Sequence, residues 1–295
     1  MTESLLLGID LGGTKTAVIL GTPFGEVRAR NQFPTGTPAE TRRRIVEAVA
    51  NWKFDHVGIA CGGPLDDARG RLLAPPNLPG WEGAELVSWF KSDFQKPVAL
   101  VNDANAGALA EWRWGAGRGA TDLVFLTCGT GLGAGIIADG RLLAGASGNA
   151  GEIGHVRLTE DGPLGYGKRG SVEGWASGGG IGRQAGDAGW PAGTSTQDIA
   201  LAADADDPRA TALLENAGTK LGRTIAILVD LLNPQVIVLG SVLVRARRHL
   251  EPALLRELAA EALPELVAAC RVVPAELGES ISDLQALAAA LESPV

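Results

Sequence analysis

Twice in this chain an apolar run stops at a glycine-rich turn and then resumes. Leu5 to Ile9 leads through Asp10-Leu11-Gly12-Gly13-Thr14-Lys15-Thr16 into Ala17 to Leu20. Leu123 to Thr127 leads through Gly129-Thr130-Gly131-Leu132-Gly133 into a run containing Ile136 and Ile137. Short runs of Leu, Ile and Val bounded by glycine predict strands, so each segment predicts strand, hairpin turn, strand. A strand after the glycines excludes the two phosphate loops that require a helix there. The Walker pattern also fails in detail, because Thr14 rather than Gly precedes Lys15. The G-x-G-x-x-A match from Gly129 to Ala134 runs into Gly135-Ile136-Ile137 and an Asp139-Gly140 turn, where a dinucleotide fingerprint needs a helix.

Helix–strand alternation follows each hairpin. In the first half, helices are predicted from about Ala39 to Lys53, around Glu85 to Phe94, and from Ala104 to Trp114, with strands at Val57 to Cys61 and Val98 to Val101. In the second half, Leu213, Ala217, Leu221, Ile225, Leu228 and Leu232 form the apolar stripe of a long helix closed by Asn233-Pro234. The strand Val236 to Leu239 comes next, then helices from about Leu250 to Ala269 and Ser282 to Leu291. The Gly115 to Gly119 cluster marks a boundary. These patterns predict two related α/β lobes facing a cleft: residues 1–115, joined by a last helix over about 281–295, and residues 116–280.

A chain of 295 residues is long enough for two such lobes. Its 26 Lys and Arg against 34 Asp and Glu give a net charge of −8, with no basic concentration able to neutralise a run of phosphates, so nucleic acid is excluded as a partner. Cys61, Cys128 and Cys270 are odd in number and far apart, which fits reduced thiols and a cytoplasmic location. The Leu5 to Ile9 run lacks the basic flank of a leader, and Thr224 to Gly240 is interrupted by Asp230, Asn233 and Pro234, so no membrane span is expected.

Glycine in a tight turn lets backbone N–H groups approach a phosphate that a Cβ would hold off. Gly12, Gly13, Thr14 and Lys15 are therefore candidates for one phosphate contact, and Gly129, Thr130 and Gly131 for a second. Asp10, at the end of the first strand, either holds Mg²⁺ through water or closes an Asx turn. Residue pattern alone leaves Asp103 as a helix N-cap, Glu152 and Glu173 as surface glutamates, and His155 as a packing histidine.

Five segments, in order and spread over nearly the whole chain, resemble the ROK family of sugar kinases, repressors and related open reading frames. They are Asp10 to Thr16, Asn77-Leu78-Pro79-Gly80-Trp81, Asn102-Asp103-Ala104-Asn105-Ala106, Cys128 to Gly133, and Gly151-Glu152-Ile153-Gly154-His155. The resemblance implies the actin-like, ribonuclease-H-like two-lobe fold, MgATP as cofactor and a hexose as substrate. It makes Asp103 the general base and gives sugar contacts to Gly63, Asn102, Glu152, His155 and Glu173. Gly240 joins the nucleotide contacts, and a homodimer is implied. Repressor members carry an additional winged-helix domain, for which the residues before Asp10 leave no room. The expected activity is ATP-dependent phosphorylation of a neutral hexose, with glucose first and N-acetylmannosamine, N-acetylglucosamine or fructose as alternatives. The alternative of another class is a sugar or nucleotide sensor that has lost transfer.

This chain departs from the family pattern at three places, one of them Gly62, where the resemblance places a proline before the Gly63-Pro64 pair of the substrate-side loop. In Leu164-Gly165-Tyr166-Gly167-Lys168-Arg169-Gly170-Ser171-Val172-Glu173, the resemblance places three zinc-binding thiolates at Leu164, Tyr166 and Ser171. One histidine cannot close a tetrahedral zinc site, so a zinc-free member is expected, with Leu164 and Tyr166 fixing the loop by apolar packing. After Val236 to Leu239, Gly240-Ser241-Val242 replaces a longer glycine run near the adenosine.

Overall fold

The computed structural model describes residues 4–240, 243 and 246–292. The chain forms two compact units. One comprises the segment up to Arg118 with Leu142–Ala150 and the segment from Glu279; the other comprises Gly119–Arg141 and Gly151–Gly278.

The first unit is built on a five-stranded sheet in the spatial order Val27–Pro34, Lys15–Gly21, Leu6–Leu11, His56–Cys61, Val98–Asn102. The first hairpin supplies Leu6–Leu11 and Lys15–Gly21 as an antiparallel pair, while His56–Cys61 and Val98–Asn102 extend the sheet in parallel. Strands buried on both faces read as unbroken apolar runs, as Leu6–Ile9 and Val57–Cys61 do. Val27–Pro34 has no such run; it is an exposed edge strand carrying Arg28 and Arg30, so its sequence gives no apolar strand signal. Gly8 and Gly58 sit side by side in register and form a groove for the helix Ile281–Ala289. A Cβ on Gly58 would lie 2.1 Å from the Ala290 nitrogen, so the helix reaches the sheet only because both side chains are absent.

The other five-stranded sheet repeats the same strand order: Arg141–Leu142, Leu132–Ala138, Leu123–Cys128, Val236–Leu239, Arg271–Pro274. The core of the second unit packs Val124, Leu126 and Ile237 of the sheet with Leu221 and Ile225 of the long helix Pro208–Leu232. Each fully buried Leu or Ile contributes about 1.5–3 kcal/mol relative to exposure. The helix expected from about Leu250 to Ala269 is two helices, Arg247–Glu261 and Pro264–Ala269. Pro264 has no N–H to continue the first, and Leu263 before it is extended (φ −61°, ψ 127°). Two further helices, Gly178–Asp187 and Thr196–Asp204, carry no strong signal in the sequence. The first is rich in glycine, a weak helix former. It is started by the Ser177 hydroxyl accepting from Gly180 N at 2.9 Å and anchored by buried Ile181 and Ala185.

Candidate active site

In the first unit the site residues gather at the carboxyl ends of parallel strands. Asp10 lies near the end of Leu6–Leu11, opposite Ala60, and Asn102 ends Val98–Asn102, opposite Cys61. The turn between Leu11 and Lys15 is closed by Gly12 N donating to Lys15 O at 3.1 Å, and Thr35 Oγ1 donates to Gly12 O at 2.7 Å. Gly13 passes beneath the Asn77 carbonyl, where a Cβ would lie 2.1 Å from that oxygen. With the Gly12 N–H engaged, the donors left for a phosphate are the N–H groups of Gly13 and Thr14 and the exposed Lys15 ammonium.

The helix Asp103–Trp114 starts directly from the last strand, and its N-cap is Asn102, not Asp103. Asn102 Oδ1 accepts from Ala104 N at 2.9 Å and from Asn105 N at 3.5 Å. Its oxygen is thereby engaged, and its amide Nδ2 remains as a donor beside Gly63, whose Cβ would lie 3.1 Å from it. Asp103 is the first helical residue and solvent-accessible, with Oδ1 accepting from Ala104 N at 2.8 Å. Desolvation by the surrounding protein pushes its carboxyl above the ordinary carboxylate range, against the lowering effect of the Ala104 and Asp103 N–H groups. Asp10 is pushed up to about 6, chiefly by burial. Gln285 opposes this shift by donating from Nε2 to Oδ1 at 3.1 Å, while the charges of Asp103 and Asp283 add to it.

In the second unit, the turn after Leu123–Cys128 is closed by Gly129 N donating to Gly131 O at 3.0 Å. Leu132 N donates to Glu173 Oε2 at 3.3 Å, and a Cβ on Gly131 would lie 2.7 Å from that same oxygen. The hairpin and Glu173 are thus fitted to each other. Glu173 stands in the first turn of the helix Val172–Ala176. Glu152, exposed, precedes the 3-10 turn Ile153–His155 that carries His155. Gly154 is pressed against the chain after the hairpin, where a Cβ would lie 2.1 Å from Leu132 O. Gly240, whose N–H donates to Leu126 O at 2.9 Å, packs against Phe125; Ser241 and Val242 lie outside the described residues.

Beside the second hairpin is a hollow of about 320 Å³ lined by Gly129, Thr130, Gly178, Gly179, Ser195 and Thr196, among others. Two helix N-termini open onto it, capped by Ser177 and Ser195, and their unpaired N–H groups favour an anion. Sequence reasoning missed Gly178, Gly179, Ser195 and Thr196. The available signals were the Ser177-Gly178-Gly179-Gly180 run and the Ser195–Asp198 capping box.

The segment that the resemblance aligns with zinc-binding thiolates carries Leu164, Tyr166 and Ser171 in their place. Leu164–Gly165 pairs with Lys168–Arg169 in a small hairpin, and Ser171 is buried as the N-cap that accepts from Gly174 N at 3.1 Å. Among the described residues, no three His, Cys, Asp or Glu side chains cluster to hold a metal ion. The expected apolar packing is corrected by the structure, because Leu164 is 51% exposed and Tyr166 57%. Hydrogen bonds fix the loop instead: Leu158 N to Gly170 O at 2.8 Å, Gly170 N to Pro163 O at 3.1 Å and Trp175 Nε1 to Thr159 Oγ1 at 2.9 Å. Among the described residues, no helix is long and apolar enough to cross a membrane.

The ROK family model matches residues 6–292. The chain belongs to the ROK family. It is 31% identical to a glucokinase of Halalkalibacterium halodurans, over 94% of this chain and 92% of that one. It is 36% identical to an N-acetylmannosamine kinase of Shigella boydii, over 79% of this chain and 81% of that one. Its structure matches that of a ROK family glucokinase from Streptomyces griseus in complex with glucose and AMPPNP. That match has a TM-score of 0.79 and 30% identity, covering 96% of this chain and 98% of that one. The fold is the two-lobe α/β fold of these ROK sugar kinases.

Proposed function

We propose that this ROK protein transfers the γ-phosphoryl group of ATP to the 6-hydroxyl of a neutral hexose, glucose first, with Asp103 as general base. The observation that carries this reading is the placement of Asp103. Asn102 is the helix N-cap, and the Asp103 carboxylate beside it, with Oδ1 held by Ala104 N, is exposed just beyond the end of a parallel strand. A raised pKa makes it a stronger proton acceptor for a sugar hydroxyl, and general-base help of this kind contributes ~10²–10⁴-fold. The relatedness to a glucokinase and to an N-acetylmannosamine kinase supports a sugar as acceptor.

Asn102 Nδ2, Gly63, Glu152, His155 and Glu173 are assigned to the sugar. The carboxylates would accept hydrogen bonds from its hydroxyls and repel a sugar that already bears phosphate. Thr14 and Lys15, with Gly12 and Gly13 shaping their turn, are assigned to phosphates, as are Thr130 and Gly131 beyond the engaged Gly129 N–H. Gly240 and the hollow beside Thr130 are assigned to the rest of the nucleotide.

Asp10 suits a hydrated magnesium ion. It is an oxygen donor whose ionised form is disfavoured by burial, so a nearby cation would relieve it. When bound, the ion would neutralise charge on the transferring phosphates. We further propose a zinc-free, cytoplasmic homodimer that does not bind nucleic acid.

ADP release by the purified protein with MgATP, measured across glucose, fructose, N-acetylmannosamine and N-acetylglucosamine, tests the activity. Glucose is expected to give the highest kcat/KM. A higher value with an N-acetylhexosamine would change the substrate, and no release above the sugar-free rate would end the kinase reading. Elemental analysis is expected to find less than stoichiometric zinc, and light scattering the mass of a dimer.

A further inference from the structure

We infer that Tyr166 is a positioning residue that holds the His155 imidazole in the orientation sugar binding needs. The inference rests on the assignment of His155 to the sugar. Tyr166 and Gly167 form the turn of the small hairpin, with φ of 44° and 77°. Left-handed backbone at such a turn favours Gly, Asn or Asp, and a tyrosine adopts it at a cost. Burial does not offset that cost, because more than half of the side chain is exposed. What the ring does contact is His155: the centroids are 4.8 Å apart and the planes meet at 83°, an edge-to-face pair.

The His155 backbone is already fixed from two sides. Lys168 Nζ, from the same hairpin, donates to His155 O at 2.8 Å, and Gly154 is seated against Leu132 O. These contacts place the Cα but leave the imidazole free to turn about its side-chain bonds. Tyr166 is the aromatic partner that limits this rotation, and a side chain with two torsions does so at little entropic cost. Backbone strain retained for one side-chain contact, next to an assigned binding residue, is the pattern expected of a functional position.

The test compares Tyr166→Gly and Tyr166→Phe with wild type. Glycine suits the turn better, so the melting temperature of Tyr166→Gly is expected to hold or rise. Its KM for glucose is expected to rise about 3- to 10-fold, the range of a lost edge-to-face pair, with kcat and the KM for ATP within about twofold. Tyr166→Phe is expected to restore the wild-type KM. Tyr166 is the single tyrosine of the chain, so 3-fluorotyrosine labelling gives one ¹⁹F resonance. That resonance is expected to shift on adding glucose and not on adding sorbitol.

An unchanged glucose KM in Tyr166→Gly, or a Phe variant that behaves like the Gly variant, would overturn the inference while the kinase reading stands. If wild type phosphorylates no sugar, that reading fails first and takes the inference with it. Should the glycine variant misfold, the fluorine resonance of wild type still decides, since a signal indifferent to glucose contradicts the role.

Discussion

Both glycine hairpins are closed by a glycine N–H, the first over four residues from Gly12 N to Lys15 O at 3.1 Å and the second over three from Gly129 N to Gly131 O at 3.0 Å, and their surroundings differ. Gly13 is held under the Asn77 carbonyl, whereas a Cβ on Gly129 would meet nothing within 4 Å. The first hairpin also carries its own charges, Asp10 and Lys15, and shares its sheet with the strand that delivers Asp103. The second carries none in its turn and is bordered by Glu173 and two helix N-termini. At Gly13 glycine is required by a neighbouring backbone and at Gly131 by the Glu173 carboxylate, whereas no neighbour within 4 Å requires it at Gly129.

The largest expected effect separates chemistry from recognition. Asp103→Asn should lower kcat by ~10²–10⁴-fold while glucose binding by calorimetry changes little, because the isosteric amide keeps the contact and loses the base. Glu173→Gln in the second unit should act mainly on the KM for glucose. A kcat collapse of equal size there would erase the distinction between the units.

Asp10→Asn sharpens it through pH. The carboxyl rises from 3.8 to about 6 on folding, so its contribution to stability is present below pH 3.8 and is lost as pH rises through about 6. The ligand-free Asn variant should match wild type near pH 4 and exceed it by up to about 2–3 kcal/mol above pH 6 in urea melts. Magnesium should follow the ionised form, so its effect on ATP affinity should weaken in wild type below pH 6 and be reduced in the variant at every pH. A stability difference that ignores pH would refute the burial argument.

Alanine at the two hairpin glycines compares them directly. Gly13→Ala forces the Asn77 backbone to move and should cost about 1–3 kcal/mol of stability. Gly129→Ala, the smallest effect, should change stability by less than about 0.5 kcal/mol and raise the KM for ATP several-fold. Equal melting temperatures for the two variants would show that the hairpins do not differ as described.

The hairpins and central strands were legible because strands covered on both faces are continuous apolar runs punctuated by glycine. Val27–Pro34 was not, since an exposed edge strand has no apolar face to display. The hollow beside Thr130 was not, because it joins that turn to Ser195 and Thr196, residues far along the chain that only the packing of two short helices brings near. At Asp103 the residue pattern favoured an N-cap, and the structure gives that role to Asn102, a choice that neighbouring side chains of equal capping ability leave open in sequence. At Leu164 and Tyr166 apolar character was read as packing. Leu164, on a strand of the small hairpin, and Tyr166, in its turn, are instead more than half exposed, which residue type cannot reveal.

The central claim is that the γ-phosphoryl of ATP ends on a sugar oxygen. ³¹P NMR of the purified protein incubated with MgATP and glucose follows every phosphorus directly. The account predicts a glucose 6-phosphate resonance growing in step with ADP. ADP accompanied only by orthophosphate, or ATP left unchanged with glucose and the other hexoses, would contradict it.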